Sequence, residues 1–185
     1  MKGVIIYKGK YGATQQYAEW LSSELQLPVI PSENISGESL KAYDFFILGS
    51  SVYIGKLQLK KWLQKNSPFL LRKHIFFFQV AGTDPKEKTK RQAYNDTGIP
   101  DELTGKLYTF FLPGRLKIDK LSWRDRLLLR IGARLAKNEE EKVIMLTDYD
   151  YVQKEELSVL INSVQSILKY RFASKRESVL VQPES

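Results

Sequence analysis

Apolar residues along this chain gather in short, separated runs. GVIIY (3–7), LPVI (27–30), DFFILG (44–49), HIFFFQV (74–80) and KLYTFFL (106–112) are rich in β-branched and aromatic side chains. Most are apolar at successive positions rather than alternating, the pattern of strands covered on both faces. A sixth run, KVIML (142–146), is predicted to extend the last strand. Between the runs the period lengthens. Residues 13–25 put Tyr17, Leu21 and Leu25 on one stripe beside Ala18, and QLKKWLQKN (58–66) reads as a shorter helix ending before Pro68. Residues 150–172 carry Val152, Leu157, Leu160, Ile161, Val164 and Leu168 at helical spacing. Strands alternating with helices predict parallel βαβ units in a doubly wound α/β sheet. Residues 173–185 are mostly polar and are predicted to form a flexible tail.

Composition narrows the picture. The chain has 185 residues, 43% of them hydrophobic, enough for one domain with a substantial core. No run reaches the roughly 18 apolar residues of a membrane span. The N-terminus regains charge too quickly for a signal peptide, so a cytoplasmic protein is expected. There is no cysteine, which removes disulfides, thiolate metal sites and thiol nucleophiles. One histidine and no clustered carboxylates argue against a metal site or hydrolytic triad. Lys and Arg total 29 against 21 acidic residues, a net charge of +8 that favours an anionic partner. No basic-aromatic module accompanies that charge, so nucleic acid is not the expected partner.

Ligands of open parallel sheets bind beyond the carboxyl ends of the strands, and three such ends draw notice. After the first strand come Gly9, Lys10, Tyr11, Gly12, Ala13 and Thr14. Their glycines permit a tight turn whose amides, at the start of a helix, can face a phosphate. Thr14 can cap that helix or donate its hydroxyl to the anion, and a plain capped turn would use the same residues. The stretch is neither a P-loop nor a dinucleotide fingerprint. After the third strand, Ser50, Ser51, Val52, Tyr53, Ile54 and Gly55 offer small polar groups and an aromatic to a flat ligand. Ala81, Gly82 and Thr83 form an unhindered third loop.

This succession of loops resembles the flavodoxin family over almost the whole chain. The resemblance implies a five-stranded parallel sheet of order 2-1-3-4-5 holding one FMN, its phosphate in the first loop. Gly12 and Thr14 match the family's phosphate loop, while Gly9 replaces its first hydroxyl residue. Tyr53 inherits the role of flavin stacker. The third loop lacks the aromatic that flavodoxins often place there, so another segment is expected to cover that face or leave it open.

Residues 112–152 are similar to a segment that distinguishes the menaquinone-dependent protoporphyrinogen IX dehydrogenase family. Trp123, Asp125 and Arg126 stand in SWRDR, and Thr147, Asp148 and Tyr149 form TDY. Read for themselves, residues 123–137 put Trp123, Leu127, Leu128, Ile131 and Leu135 on one helical face, with Arg126 and Arg130 opposite. Such a basic amphipathic helix suits a membrane surface or an acidic partner, or simply packs on the sheet with its arginines in water. Thr147 and Asp148 are expected to cap the last helix. The resemblance implies a domain over 1–172 with an inserted basic helix at about 113–138. It also implies an FMN-dependent enzyme taking a porphyrinogen and a quinone, with peripheral membrane contact. Lys117, Lys120, Trp123, Arg124, Arg126 and Arg130 are the expected substrate and membrane residues. The rival expectation is a flavodoxin-type electron carrier without a substrate, which the basic charge disfavours.

Overall fold

The computed structural model describes residues 1–82, 87–136 and 138–180. Five parallel strands form the centre: β1 (Gly3–Lys8), β2 (Val29–Pro31), β3 (Phe45–Tyr53), β5 (His74–Ala81) and β6 (Leu107–Pro113). Their order is β2-β1-β3-β5-β6, with β4 (Lys56–Leu57) attached to β3 as a short antiparallel hairpin. With that hairpin set aside, this is the 2-1-3-4-5 order expected from the sequence. The helices are α1 (Ala13–Leu25), α2 (Gly37–Leu40), α3 (Lys60–Leu70), α4 (Lys88–Gly98), α5 (Trp123–Arg134), α6 (Glu139–Met145) and α7 (Ser158–Leu180).

The strands are apolar on both sides because each side has its own core. Ile5, Ile47, Phe76 and Phe78 pack with Tyr17 and Leu21 of α1 and Leu160 and Val164 of α7. Val4, Ile6, Phe46, Leu48 and Phe77 point the other way, onto Leu63 and Leu70 of α3 and onto Leu103. Fully burying such a side chain is worth about 1.5–3 kcal/mol, so the two layers hold the sheet rigid beneath its loops.

Several boundaries differ from expectation. KVIML (142–146) is not strand: α6 takes it up to Met145, with Lys142 and Glu139 paired one turn apart at 3.1 Å. Val143 and Ile144 are exposed, so this run forms a surface rather than a sheet edge. α3 passes through Pro68 to Leu70. In the last turn a proline withholds only one hydrogen bond, here to the Gln64 carbonyl, and Ser67 Oγ lies 3.4 Å from that oxygen. β3 runs on to Tyr53 because Val52 and Tyr53 pair with β4. Thr147 and Asp148 do not cap the last helix, which starts ten residues later, at Ser158. Thr147 Oγ1 instead bonds back to Val143 O at 2.7 Å, and Asp148 Oδ1 accepts from the Ile118 amide at 2.9 Å. α7 continues to Leu180, into the stretch expected to be a tail.

Between β6 and α7 the chain leaves the sheet. Arg115–Leu116 (β7) and Tyr149–Asp150 (β8) pair antiparallel, making a neck from which α5 and α6 project. This excursion therefore extends beyond 113–138, since α6 and β8 belong to it.

Candidate functional site

The ends of β1, β3 and β5 converge on one cavity of about 520 Å³. Lys10, Tyr11, Ala13, Thr14, Ser51, Val52, Tyr53, Ile54, Ala81 and Gly82 all line it. Gly9, Gly12, Ser50 and Gly55 shape the loops without lining the cavity. Ser50 is fully buried, and its hydroxyl donates to Ser51 O and accepts from the Leu59 amide, which clasps the hairpin to β3. Thr83 lies outside the described residues.

At the first loop the chain turns through Gly12, whose φ of 84° is left-handed, and α1 begins at once. No side chain caps this helix. Thr14 in particular does not: it is 1% exposed and its Oγ1 has no hydrogen-bond partner. An orphaned buried hydroxyl costs about 1–3 kcal/mol unless something meets it. The amides of the first helical turn also lack intrahelical acceptors, so donors gather where an anion would be stabilised. Ser51 Oγ, in the second loop, is likewise buried and unpartnered. The absent hydroxyl at Gly9 has a steric cause. A Cβ there would stand 2.8 Å from Thr14 Cβ and 2.9 Å from its Oγ1, so Thr14 fills the space that a serine or threonine would need.

The excursion closes the cavity from above. Leu121, Leu128, Leu129, Ile131, Gly132 and Leu135 add an apolar wall, joined by Met145 of α6 and Tyr149 of β8. One acid anchors α5 over the loops. Asp125 is 7% exposed, forms an ion pair with Lys10 Nζ at 2.6 Å, and accepts hydrogen bonds from the hydroxyls of Tyr11 and Tyr53. Its own amide donates to Ser122 Oγ, the N-cap of α5, at 3.2 Å. A buried carboxylate needs such company. The hydrogen bond to Asp125 raises the pKa of Lys10. Lys10 Nζ also lies 4.1 Å from the centroid of the Tyr53 ring, so it serves this cluster in addition to the first loop.

Sequence reasoning did not single out Asp125, Arg115 or Tyr149 as site residues. Asp125 had a signal: Ser-x-x-Asp marks a capped helix start, and it is the one acid in a basic turn. Arg115 bonds to Gln16 and lies 3.4 Å from Asp150, bracing the neck against α1. Lys117 and Lys120 do come together, with Arg115 and Tyr11, around a neighbouring cleft. The apolar stripe of α5 is placed differently from a helix packed on the sheet. The buried side carries Asp125 and Ala133. Leu128, Ile131 and Leu135 border the cavity while remaining 47%, 44% and 79% exposed, and Trp123 and Leu127 are exposed away from it at 67% and 50%. Arg126 and Arg130 are exposed, and Arg124 lies over the Trp123 ring at 5.3 Å.

A family model described as a flavodoxin domain matches residues 4–142. Together with the sheet order and the three-loop cavity, this places the chain in the flavodoxin family, a family of FMN-binding flavoproteins. The orphaned hydroxyls of Thr14 and Ser51 and the open helix start fit such a cofactor. No curated protein matches the sequence. Among solved structures, the chain is similar to the two-electron reduced flavodoxin of Megasphaera elsdenii, at 16% identity over 60% of this chain and 85% of that one, with a TM-score of 0.47. It is also similar to an oxidised flavodoxin of Bacillus cereus, at 21% identity over 61% and 86%, TM-score 0.44. A third is a flavoprotein of Lactobacillus acidophilus in complex with FMN, at 18% identity over 60% and 91%, TM-score 0.43.

Proposed function

We propose that this protein is an FMN-dependent oxidoreductase that converts protoporphyrinogen IX to protoporphyrin IX and delivers the electrons to a membrane quinone. The observation that carries this reading is the apolar wall built on the flavin-loop cavity. Leu128, Leu129, Ile131, Leu135 and Met145 line the same space as Thr14 and Tyr53. A wall of that kind suits a large apolar ring held against the cofactor.

The roles divide among the chain's own residues. Thr14 and the amides at the start of α1 hold the phosphate, and Tyr53 and Ser51 border the ring system. FMN, when bound, would supply the redox chemistry, while Lys10, Tyr11, Tyr53 and Asp125 hold α5 over the loops. Lys117, Lys120, Arg124, Arg126 and Arg130 provide positive charge for the substrate's propionates and for anionic lipid. Trp123 and Leu127 of α5, with Val143 and Ile144 of α6, provide apolar contact with a bilayer surface, where a quinone is dissolved.

The test is turnover. FMN-loaded protein, incubated anaerobically with protoporphyrinogen IX and a menaquinone analogue, should generate porphyrin fluorescence in step with quinol. Absence of that turnover, alongside rapid electron transfer to a soluble redox protein, would replace this reading with the carrier.

A further inference from the structure

The third loop of the site carries no aromatic side chain, and the structure explains what stands there instead. Tyr149, on β8 at the neck of the excursion, lines the cavity beside Ala81 and Gly82. Its phenol reaches so close to the third loop that a Cβ on Gly82 would coincide with the hydroxyl and come within 2.8 Å of Cζ. Gly82 is thus a glycine because of a close approach, not a turn. The tyrosine is held firmly. β8 pairs with β7, putting Tyr149 opposite Leu116, and the Tyr151 amide donates to Gly114 O at 3.1 Å. Gly114 N in turn donates to Ala81 O at 2.8 Å, so neck and third loop are joined directly. Tyr151 stacks on Tyr149, with centroids 5.2 Å apart and planes inclined by 17°. That covers one face of the ring of a residue that also lines the cavity. Burial raises the pKa of the Tyr149 phenol, which keeps it neutral.

We propose that Tyr149 is a cofactor-binding residue, closing the flavin cleft on the third-loop side in the place where a loop side chain would otherwise stand. The inference rests on the reading that this cleft holds FMN, but not on any substrate. It makes the excursion part of the cofactor site: the strand pair that supports α5 and α6 also supplies an aromatic wall to the flavin. Tyr149 fits in this position only because Gly82 carries no side chain.

Two measurements on the FMN-loaded full-length protein test this without substrate. Aromatic contact quenches flavin emission, so Tyr149→Leu should brighten bound FMN several-fold and weaken its binding by roughly tenfold, the scale of one lost aromatic contact. Tyr149→Phe should keep its affinity close to wild type while its emission rises, because a phenyl ring stacks as well but does not donate an electron to the excited flavin. Unchanged emission and affinity in Tyr149→Leu would overturn the proposal. The second measurement removes dependence on one variant's folding. Gly82→Ala should lower FMN affinity strongly in the wild-type background and only slightly in the Tyr149→Leu background, because the collision is then gone. Equal losses in both backgrounds would mean that Tyr149 does not occupy the loop's space in solution. Loss of porphyrinogen turnover with these flavin effects intact would sink the proposed substrate alone. Failure of wild type to bind FMN at all would sink the cofactor reading beneath both.

Discussion

A single hydroxyl shows how the site works at the scale of one residue. Thr14 is buried at the start of α1 with no protein partner for Oγ1, an arrangement that a ligand at the loop would make favourable. Thr14→Val keeps the shape and removes the donor. FMN binding should then weaken by about 1.5–3 kcal/mol, the worth of a hydrogen bond to a charged group, while riboflavin, which lacks the phosphate, changes little. Titration of apo-protein with both ligands by flavin fluorescence checks this, and equal losses would assign Thr14 to the fold alone. The loop was legible in the sequence because its chemistry is local: Gly12, Thr14 and the helix start are neighbours along the chain. The absence of a hydroxyl at Gly9 was equally visible, but its cause was not. It depends on where Thr14 packs across the turn, and no one-dimensional pattern records that distance.

Elements decide how the site is held. Asp125 ties α5 to the first and second loops through Lys10, Tyr11 and Tyr53. Asp125→Ala would strand two hydroxyls and an ammonium, a local cost of about 1–3 kcal/mol. Hydrogen exchange should therefore quicken across residues 118–136 while the β1, β3 and β5 amides keep their protection, and Asp125→Asn should lie between. Uniform protection in Asp125→Ala would remove Asp125 as the anchor. α1 offers a separate test through Tyr17, whose hydroxyl donates to Pro113 O at 3.0 Å and accepts from the Gln153 amide. Burial pushes its pKa up to about 12. The unfolded chain loses that proton near pH 10, whereas the native protein keeps it. The stabilisation is thus complete below pH 10 and is lost as pH rises towards about 12. The stability gap between wild type and Tyr17→Phe should change in that window and stay constant between pH 7 and 9, as denaturant melts would reveal. The α1 stripe that buries Tyr17 was readable from its spacing. Asp125's three partners were not, since Lys10 and Tyr11 lie more than a hundred residues away along the chain and Tyr53 more than seventy.

At the scale of the whole molecule, the sheet was legible and the excursion was not. Runs such as HIFFFQV can only be strands when both faces are covered, and strand order followed from the flavodoxin resemblance. KVIML is composed of the same residue types, yet it folds as α6, because it packs against α5 outside the sheet. Pattern alone does not distinguish an apolar run that seeks a core from one that builds a surface. That surface is where the last prediction lies. No helix among the described residues is long and apolar enough to cross a membrane. Yet Trp123 is 67% exposed, and Leu127, Val143 and Ile144 are exposed too. Arg124, Arg126 and Arg130 are exposed on the same helix as Trp123. Each cation near an anionic bilayer contributes on the order of 1 kcal/mol, so reversing two of them, a change of four charges, weakens the interaction by about 4 kcal/mol. Arg126→Glu with Arg130→Glu should abolish co-sedimentation with phosphatidylserine-containing vesicles at low salt and slow quinone-linked porphyrinogen oxidation, with FMN content unchanged. High salt should release the wild type only in part, because the Trp123 and Leu127 contact is not screened. If the wild type ignores vesicles at every salt concentration, the exposed stripe faces a protein instead, and the quinone must reach the cavity by another route.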